Sequence, residues 1–396
     1  MSQPHQTTRD HDIVLLGATG FTGALTAEYL ARHAPADCRW ALAGRDLTRL
    51  EAVRDTLAGI DPELKNLPLL VADVTDRASL DALARSTRVV ATTVGPYIEH
   101  GAPLVAACAD AGTDYVDLTG EPEFVDRMYT AHHDRAVETG ARIVHACGFD
   151  SVPHDLGVWF TVRQLPEGVP LRVRGMLRAG GRPSGGTFAS AMTAFSRGRQ
   201  MKQAAAERRR VETRPPGRRV RATARPPHRD PSTGWWLVPL PTIDPLVVRR
   251  SAAALDRYGP NFEYAHYAAV KRAAVAAAGV AGVATLAAAA QVPPLRRFLV
   301  SRVPQGEGPD EEQRARSWFR VRFVGEGGGR RVVTEVSGGD PGYGETAKML
   351  AESALCLALD DNPRTSGSVT TATAMADNLL DRLVRAGMGF EVLEST

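Results

Sequence analysis

The sequence predicts an α/β protein: a Rossmann-type, doubly wound parallel sheet, followed by a second, α+β domain with an antiparallel sheet. Three observations carry that expectation. Short, continuously apolar runs alternate with helix-patterned stretches over residues 12–148, as strands covered on both faces and their crossover helices require. A glycine-rich turn, "GATGFTG", joins the first run to the first helix. Beyond Gly148 the apolar runs give way to alternation, the pattern of strands with one wet face.

The elements follow in order. "DIVLLGA" is the first strand; "CRWALAGR", "LPLLVAD", "RVVATTVG", "DYVDLTG" and "ARIVHACG" are the next five. Helical spacing fills the intervals, as in "GALTAEYLARHA" and "GAPLVAACADAG". In the second domain "LRVRGMLRAG" (171–180), "SWFRVRFVGE" (317–326) and "RRVVTEVSGG" (330–339) alternate, the last two joined by a glycine hairpin turn. "ETAKMLAESALCLAL" (345–359) reads as a helix. Three regions result: a dinucleotide-binding domain over 1–150, an α+β substrate or dimerisation domain over 151–340, and a C-terminal helical segment over 341–396 that packs back on the body.

The bulk properties fit a folded, soluble chain. Of 396 residues, 43% are hydrophobic and 23% charged, enough to bury sizeable cores. A net charge of +3 does not argue for nucleic acid. Cys38, Cys108, Cys147 and Cys356 are scattered with no C-x-x-C pair, and "MSQPHQTTRD" holds no apolar leader. A reduced, cytoplasmic setting is expected.

Two segments stand apart. Residues 197–230 carry twelve Lys or Arg against three acids. They read as a solvated, mobile loop, or else as a cationic surface for acidic headgroups, a carrier protein or a phosphopantetheine arm. They hold no aromatic residue on which a base could stack, which argues against nucleic acid. Residues 273–295 are uncharged and alanine-dominated, between Lys271–Arg272 and Arg296–Arg297. That composition suits a buried or interfacial helix better than a span. The basic flanks suit peripheral contact at the inner face of the plasma membrane.

The glycine turn points to a dinucleotide. Gly17 opens the tight turn, Gly20 lies where backbone approaches a pyrophosphate, and Gly23 lets the helix pack on the strand. The N–H groups at the helix start then face the phosphates. The spacing G-x-x-G-x-x-G suits NADP-linked reductases. At the end of the second strand stands Arg45, not a carboxylate, and a guanidinium matches a 2′-phosphate. Asp46 is read as a cap of the next helix. Asp73 either lies near the adenine edge or caps the helix beginning near Asp76. Thr93, Gly95 and Pro96 follow the fourth strand, on the nicotinamide half of the crevice. Tyr97 and His100 either reach a substrate or are structural. Glu121, Asp150 and His154 follow strand ends on the same side and are acid/base candidates by placement. Asp150 or Ser151 can instead cap a helix. No metal site is expected, since His132, His133 and Asp134 lack further ligands at zinc spacing.

Together "GATGFTG", "ALAGRDLTRL", "TTVGPYIEHGAPLVAACADAGTDYVDLTGE" and "CGFDSVPHDLG" resemble the saccharopine dehydrogenase-like oxidoreductases, and within them the trans-acting enoyl reductase branch. "SGGTFASAM" (184–192), "IDPLVVRRSAAAL" (243–255) and "GGDPGYGETAKMLAESALCLAL" (338–359) extend the likeness over nearly the whole chain. The resemblance implies NADP(H), held by Gly17, Ala18, Thr19, Gly20, Phe21, Thr22, Gly23 and Arg45. It implies reduction of a carbon–carbon double bond in a lipid-like acyl chain, in trans on a polyketide synthase product or a glycolipid precursor. It supplies no catalytic residue; Tyr97 is the first candidate for proton donor. Two other readings stay open: reduction of a small amino or keto acid, and a non-catalytic NADP-binding scaffold at the membrane.

Overall fold

Each of the six apolar runs forms a strand: His11–Leu16 (β1), Trp40–Gly44 (β2), Leu69–Val71 (β3), Thr87–Thr92 (β4), Asp114–Asp117 (β5) and Arg142–Val144 (β6). β1 is buried from Asp12 onward and β2 throughout, because helices cover both faces. Those helices are Phe21–His33 (α1), Leu47–Ala58 (α2), Arg77–Ser86 (α3), Tyr97–His100 (α4), Ala102–Ala111 (α5) and Pro122–Thr139 (α6). The computed structural model describes residues 9–181, 185–213, 215–302 and 308–396. The first eight residues of the polar start and Ser184 of "SGGTFASAM" lie outside the described residues.

The second part begins with Val152–Val162 (α7), Leu171–Gly180 (β7), Gly185–Ser196 (α8) and Gly198–Val211 (α9). Arg219–Ala222 (β8), His228–Arg229 (β9), Trp236–Pro239 (β10), Asp244–Ala254 (α10) and Asn261–Val270 (β11) follow. Then come Ala273–Ala290 (α11), Pro293–Ser301 (α12), Glu311–Arg316 (α13), Trp318–Gly327 (β12) and Arg330–Gly338 (β13). The chain closes with Gly344–Leu359 (α14), Gly367–Val369 (β14), Thr371–Ala374 (α15), Ala376–Arg385 (α16) and Gly389–Ser395 (β15).

The first sheet is parallel in the order β14-β6-β5-β4-β1-β2-β3. Crossovers run outward both ways from β1, so a crevice opens beyond the C-terminal ends of β1 and β4. The second sheet runs β15-β13-β12-β7-β11-β10-β9, with β8 also pairing β11. It is mixed rather than wholly antiparallel. β12 and β13 form the expected hairpin, turning at Gly328 and Gly329 (φ +58° and +77°). β7 and β11 run parallel because a long helical crossover separates them.

The C-terminal stretch is more than a helical segment. α14 is buried along most of its length. β14 adds the seventh strand to the first sheet beside β6, and β15 pairs β13 in the second. Residues 341–396 therefore stitch both sheets together, through strands too short or too exposed to announce themselves.

The basic segment also differs from expectation. Much of it is the ordered helix α9, not a mobile loop. Arg208 is buried, paired with Asp126 on α6 and with Glu212. Arg197 makes two hydrogen bonds to Glu123 at 2.8 and 2.7 Å. Arg218 donates to the carbonyls of Ala252, Ala253, Leu255 and Gly259. The alanine segment departs the other way. Of α11 only Ala276 and Ala290 are buried. All four cysteines are free and buried.

α7 ties the layers. Gly157 lets it lie on the second sheet, since a Cβ there would fall 2.3 Å from the Phe323 ring. Asp155, fully buried, accepts from Ser251 Oγ on α10 (2.5 Å), and from Thr371 Oγ1 (2.7 Å) and Ala372 N (2.9 Å) on α15. Burial raises its pKa and the three donors oppose that rise. Removing the acceptor leaves Thr371 Oγ1 and Ala372 N without this partner and leaves Ser251 Oγ only Thr370 Oγ1, at 2.6 Å. Asp155→Ala should therefore lower stability by about 3 kcal/mol in urea unfolding; a loss below about 1 kcal/mol would show that the node carries little.

Candidate functional site

The glycine turn separates two kinds of constraint. Gly17 has φ +95°, a conformation that favours glycine, and its N–H donates to Ala43 O at 3.0 Å. A Cβ on Gly23 would lie 2.1 Å from Gly17 O, so only glycine lets α1 seat against the turn. Gly20 is different. A Cβ there would meet nothing nearer than Gly17 O at 3.5 Å. The protein itself leaves room; an approaching diphosphate would take it. α1 begins with no side-chain cap and no acid in its first turn. Its opening N–H groups, at Phe21, Thr22 and Gly23, are thus left for an anion. Ala18 is buried beneath the turn while Thr19 and Gly20 are exposed. The Phe21 ring packs edge-on against Tyr343 (4.9 Å between centroids), with the Arg314 guanidinium 5.7 Å from its centroid.

At the end of β2, Arg45 is exposed and makes no ion pair among the described residues. Asp46 caps α2, accepting from Arg49 N at 3.1 Å. Asp73 accepts from Thr75 N (2.8 Å) and Thr75 Oγ1 (2.7 Å). Those bonds, aided by the charge of Arg45, hold its carboxyl below the usual range. The cap of α3 is Asp76.

On the nicotinamide side, Thr93 Oγ1 donates to Gly17 O at 3.1 Å and locks β4 to the turn. Gly95 and Pro96, joined by a cis peptide, lead into α4. Two candidates prove to be occupied. Tyr97 is buried; its hydroxyl donates to Thr92 O (3.1 Å) and accepts from Leu118 N (3.1 Å). Burial raises its pKa well above the ordinary value. It joins the ends of β4 and β5 and offers no free proton to a substrate. Glu121 is buried and accepts from Tyr97 N (3.2 Å), Ile98 N (2.8 Å) and Ser190 Oγ (3.2 Å). It holds the start of α4 and one side of α8. His100 lies beside Glu99 at 4.0 Å.

His154 enters a buried group that no spacing in the sequence reveals. His154 Nδ1 lies 2.6 Å from Asp244 Oδ1, and His266 Nε2 lies 3.5 Å from Asp244 Oδ2. His266 Nδ1 is 3.1 Å from the Tyr264 hydroxyl. Their ligand-type atoms lie within 4.8 Å of one another, so the three residues could hold a metal ion. No spacing in the sequence marks this group, because three distant segments supply it. The 2.6 Å separation is a close polar contact, and among the described residues His154 Nδ1, Asp244 Oδ1 and His266 Nε2 have no hydrogen-bond partner. Burial resists the Asp244 charge, but His154 and His266 hold its pKa below the ordinary value. Burial pushes His266 down to about 4, so it is neutral at pH 7.

Asp150 stands at the mouth of this group. Ser151 occupies the cap position of α7 without a side-chain bond. The Asp150 carboxylate accepts no hydrogen bond among the described residues and faces Gly120, where a Cβ would be 3.3 Å from its Oδ1. Burial first, then repulsion from Asp244, Asp117 and Glu121, push its pKa up to about 7 against the pull of His154. The residue keeps some solvent exposure. A carboxyl whose pKa is raised to about 7 can give a proton near neutral pH.

Two variants separate protein packing from cofactor fit. Gly23→Ala should destabilise the fold, whereas Gly20→Ala should leave thermal unfolding unchanged and weaken NADPH binding about tenfold or more in calorimetry. Arg45→Glu should weaken NADPH binding about 100-fold, roughly 2.7 kcal/mol, while changing NADH binding less than about threefold.

Comparison with known proteins agrees with this geometry. The saccharopine dehydrogenase NADP-binding domain family matches residues 13–144. A Mycobacterium tuberculosis protein is 40% identical over 97% of this chain and 98% of its own. A Mycobacterium ulcerans protein named trans-acting enoyl reductase is 37% identical over 96% of this chain and 97% of its own. In fold, the chain is similar to the saccharopine dehydrogenase (L-Glu forming) of Saccharomyces cerevisiae, with a TM-score of 0.54 and 12% identity over 97% of this chain and 100% of that one.

Proposed function

The chain belongs to the trans-acting enoyl reductase family, and on that premise we propose that it reduces the carbon–carbon double bond of a lipid- or polyketide-derived acyl intermediate. It is an NADP-dependent oxidoreductase with a saccharopine dehydrogenase-type NADP-binding domain. The acyl chain is presented in trans by a synthase or carrier protein, in the cytoplasm. The observation that supports the chemistry most is Asp150, a carboxyl titrating at about 7 beside the nicotinamide end of the crevice.

Bound NADPH supplies a hydride to the β-carbon of the enoyl group. The Gly17–Gly23 turn holds the diphosphate and Arg45 the 2′-phosphate. Thr93 keeps the turn and β4 in register. Asp150 gives its proton to the α-carbon, so that one hydride and one proton saturate the bond. The carboxylate left behind regains its proton from solvent. Glu121 and Tyr97 fix the backbone around this space and transfer nothing.

An acid must be protonated to act, so kcat should fall as pH rises through about 7. Asp150→Asn should lower kcat about 10²- to 10³-fold, erase that limb and leave NADPH affinity unchanged. NADPH oxidation, followed by absorbance with enoyl thioesters, checks this. Turnover of an amino-acid imine with none of any enoyl thioester would overturn the substrate class.

A further inference from the structure

We infer that α11 and α12 form a docking surface for an anionic lipid bilayer, lying in its interface rather than crossing it. α11 has eighteen residues and a mean hydropathy of 1.9, yet only 11% of it is buried. An apolar helix left open to water calls for a partner. Val275, Val280, Val283, Val292, Leu295 and Phe298 are six of the fifteen exposed large apolar side chains among the described residues. All six fall within residues 275–298, on α11, α12 and the turn between them.

Charge decides the occupant. Between Lys271 and Arg302 there is no acidic residue, and five cations stand at the two ends: Lys271, Arg272, Arg296, Arg297 and Arg302. Arg302 lies over the Phe298 ring at 4.8 Å, so an aromatic wedge and a cation sit together. Apolar side chains flanked by cations match acyl chains flanked by phosphates. Unlike Arg208 and Arg218, which are turned inward onto a carboxylate and carbonyls, Lys271, Arg272, Arg297 and Arg302 are exposed. Alanine-rich composition favours the interface: alanine gains little from the hydrocarbon centre, and the valines alone are too few to hold a span.

The surface also adjoins the site. α11 and α12 both pack on α8, and Gln291 Nε2 donates to Phe195 O at 2.7 Å. On the same helix Ser190 Oγ donates to Glu121 at 3.2 Å, at the nicotinamide side of the crevice. If the substrate is a lipid acyl chain, α8 is the wall along which it passes from bilayer to crevice. The docking itself does not depend on that reading of the reaction.

The test uses the full chain and sucrose-loaded vesicles, read by sedimentation without any turnover. Binding to phosphatidylcholine–phosphatidylglycerol vesicles should exceed binding to phosphatidylcholine vesicles by about tenfold or more, and added salt should weaken it. The double change Val280→Asp and Val283→Asp, at positions already exposed, should abolish sedimentation while NADPH affinity stays unchanged. Absence of wild-type binding to the anionic vesicles overturns the proposal, and so does unaltered binding by the double variant. A wild type that binds no vesicles but dimerises in ultracentrifugation, with a monomeric double variant, would assign the patch to a second copy and equally overturn it. Vesicle binding by a chain that reduces no enoyl thioester would uphold the docking surface and overturn the proposed reaction instead.

Discussion

The buried carboxylate of Asp155 is the contact on which the arrangement of the site depends. It gathers donors from α10 and α15, two elements far from it in sequence. In water each of these groups would be hydrated. Inside the protein Thr371 Oγ1 and Ala372 N depend on this acceptor, and Ser251 Oγ shares it with Thr370 Oγ1. Its consequence is positional. α7 carries His154 in its first turn and Asp150 just before it, and α10 opens with Asp244. Holding α7 against α10 sets the 2.6 Å separation of His154 and Asp244. The environment that raises Asp150 is therefore a product of this packing.

The cofactor crevice follows a different logic. Gly17 and Gly23 are required by the fold, one by its backbone angle and the other by the carbonyl against it. Gly20 is required by nothing within the protein. A glycine without an internal reason, at the start of an uncapped helix, points to what binds there. Thr93 then connects the turn to β4, so the diphosphate end and the nicotinamide end form one rigid frame.

Charge is distributed with equal economy. Arg197, Arg208 and Arg218 of the basic segment are engaged by carboxylates and carbonyls of the body, where they hold α9 to α6 and the start of β8 to α10. Among the described residues, Lys271, Arg272, Arg296, Arg297 and Arg302 make no ion pair. A chain with a net charge of only +3 thus keeps one face that is both apolar and basic.

The sequence by itself determined what depends on near neighbours. The six apolar runs, the glycine turn, Arg45 after β2, the β12–β13 hairpin and α14 were legible because periodicity, φ preference and capping act within a few residues. The local signals at Tyr97, Glu121 and His154 were legible as placement beyond strand ends, but not as roles. Tyr97 and Glu121 turned out to be consumed by backbone groups at the end of β4, just past β5 and at the start of α4. Asp244 and His266 carried no local mark at all, and β14 and β15 gain meaning only from the strands they pair. Tertiary structure alone decided which arginines were buried, which helix was left in water and which carboxyl kept its proton. Burial and long-range pairing are properties of the folded neighbourhood, and no window of sequence contains that neighbourhood.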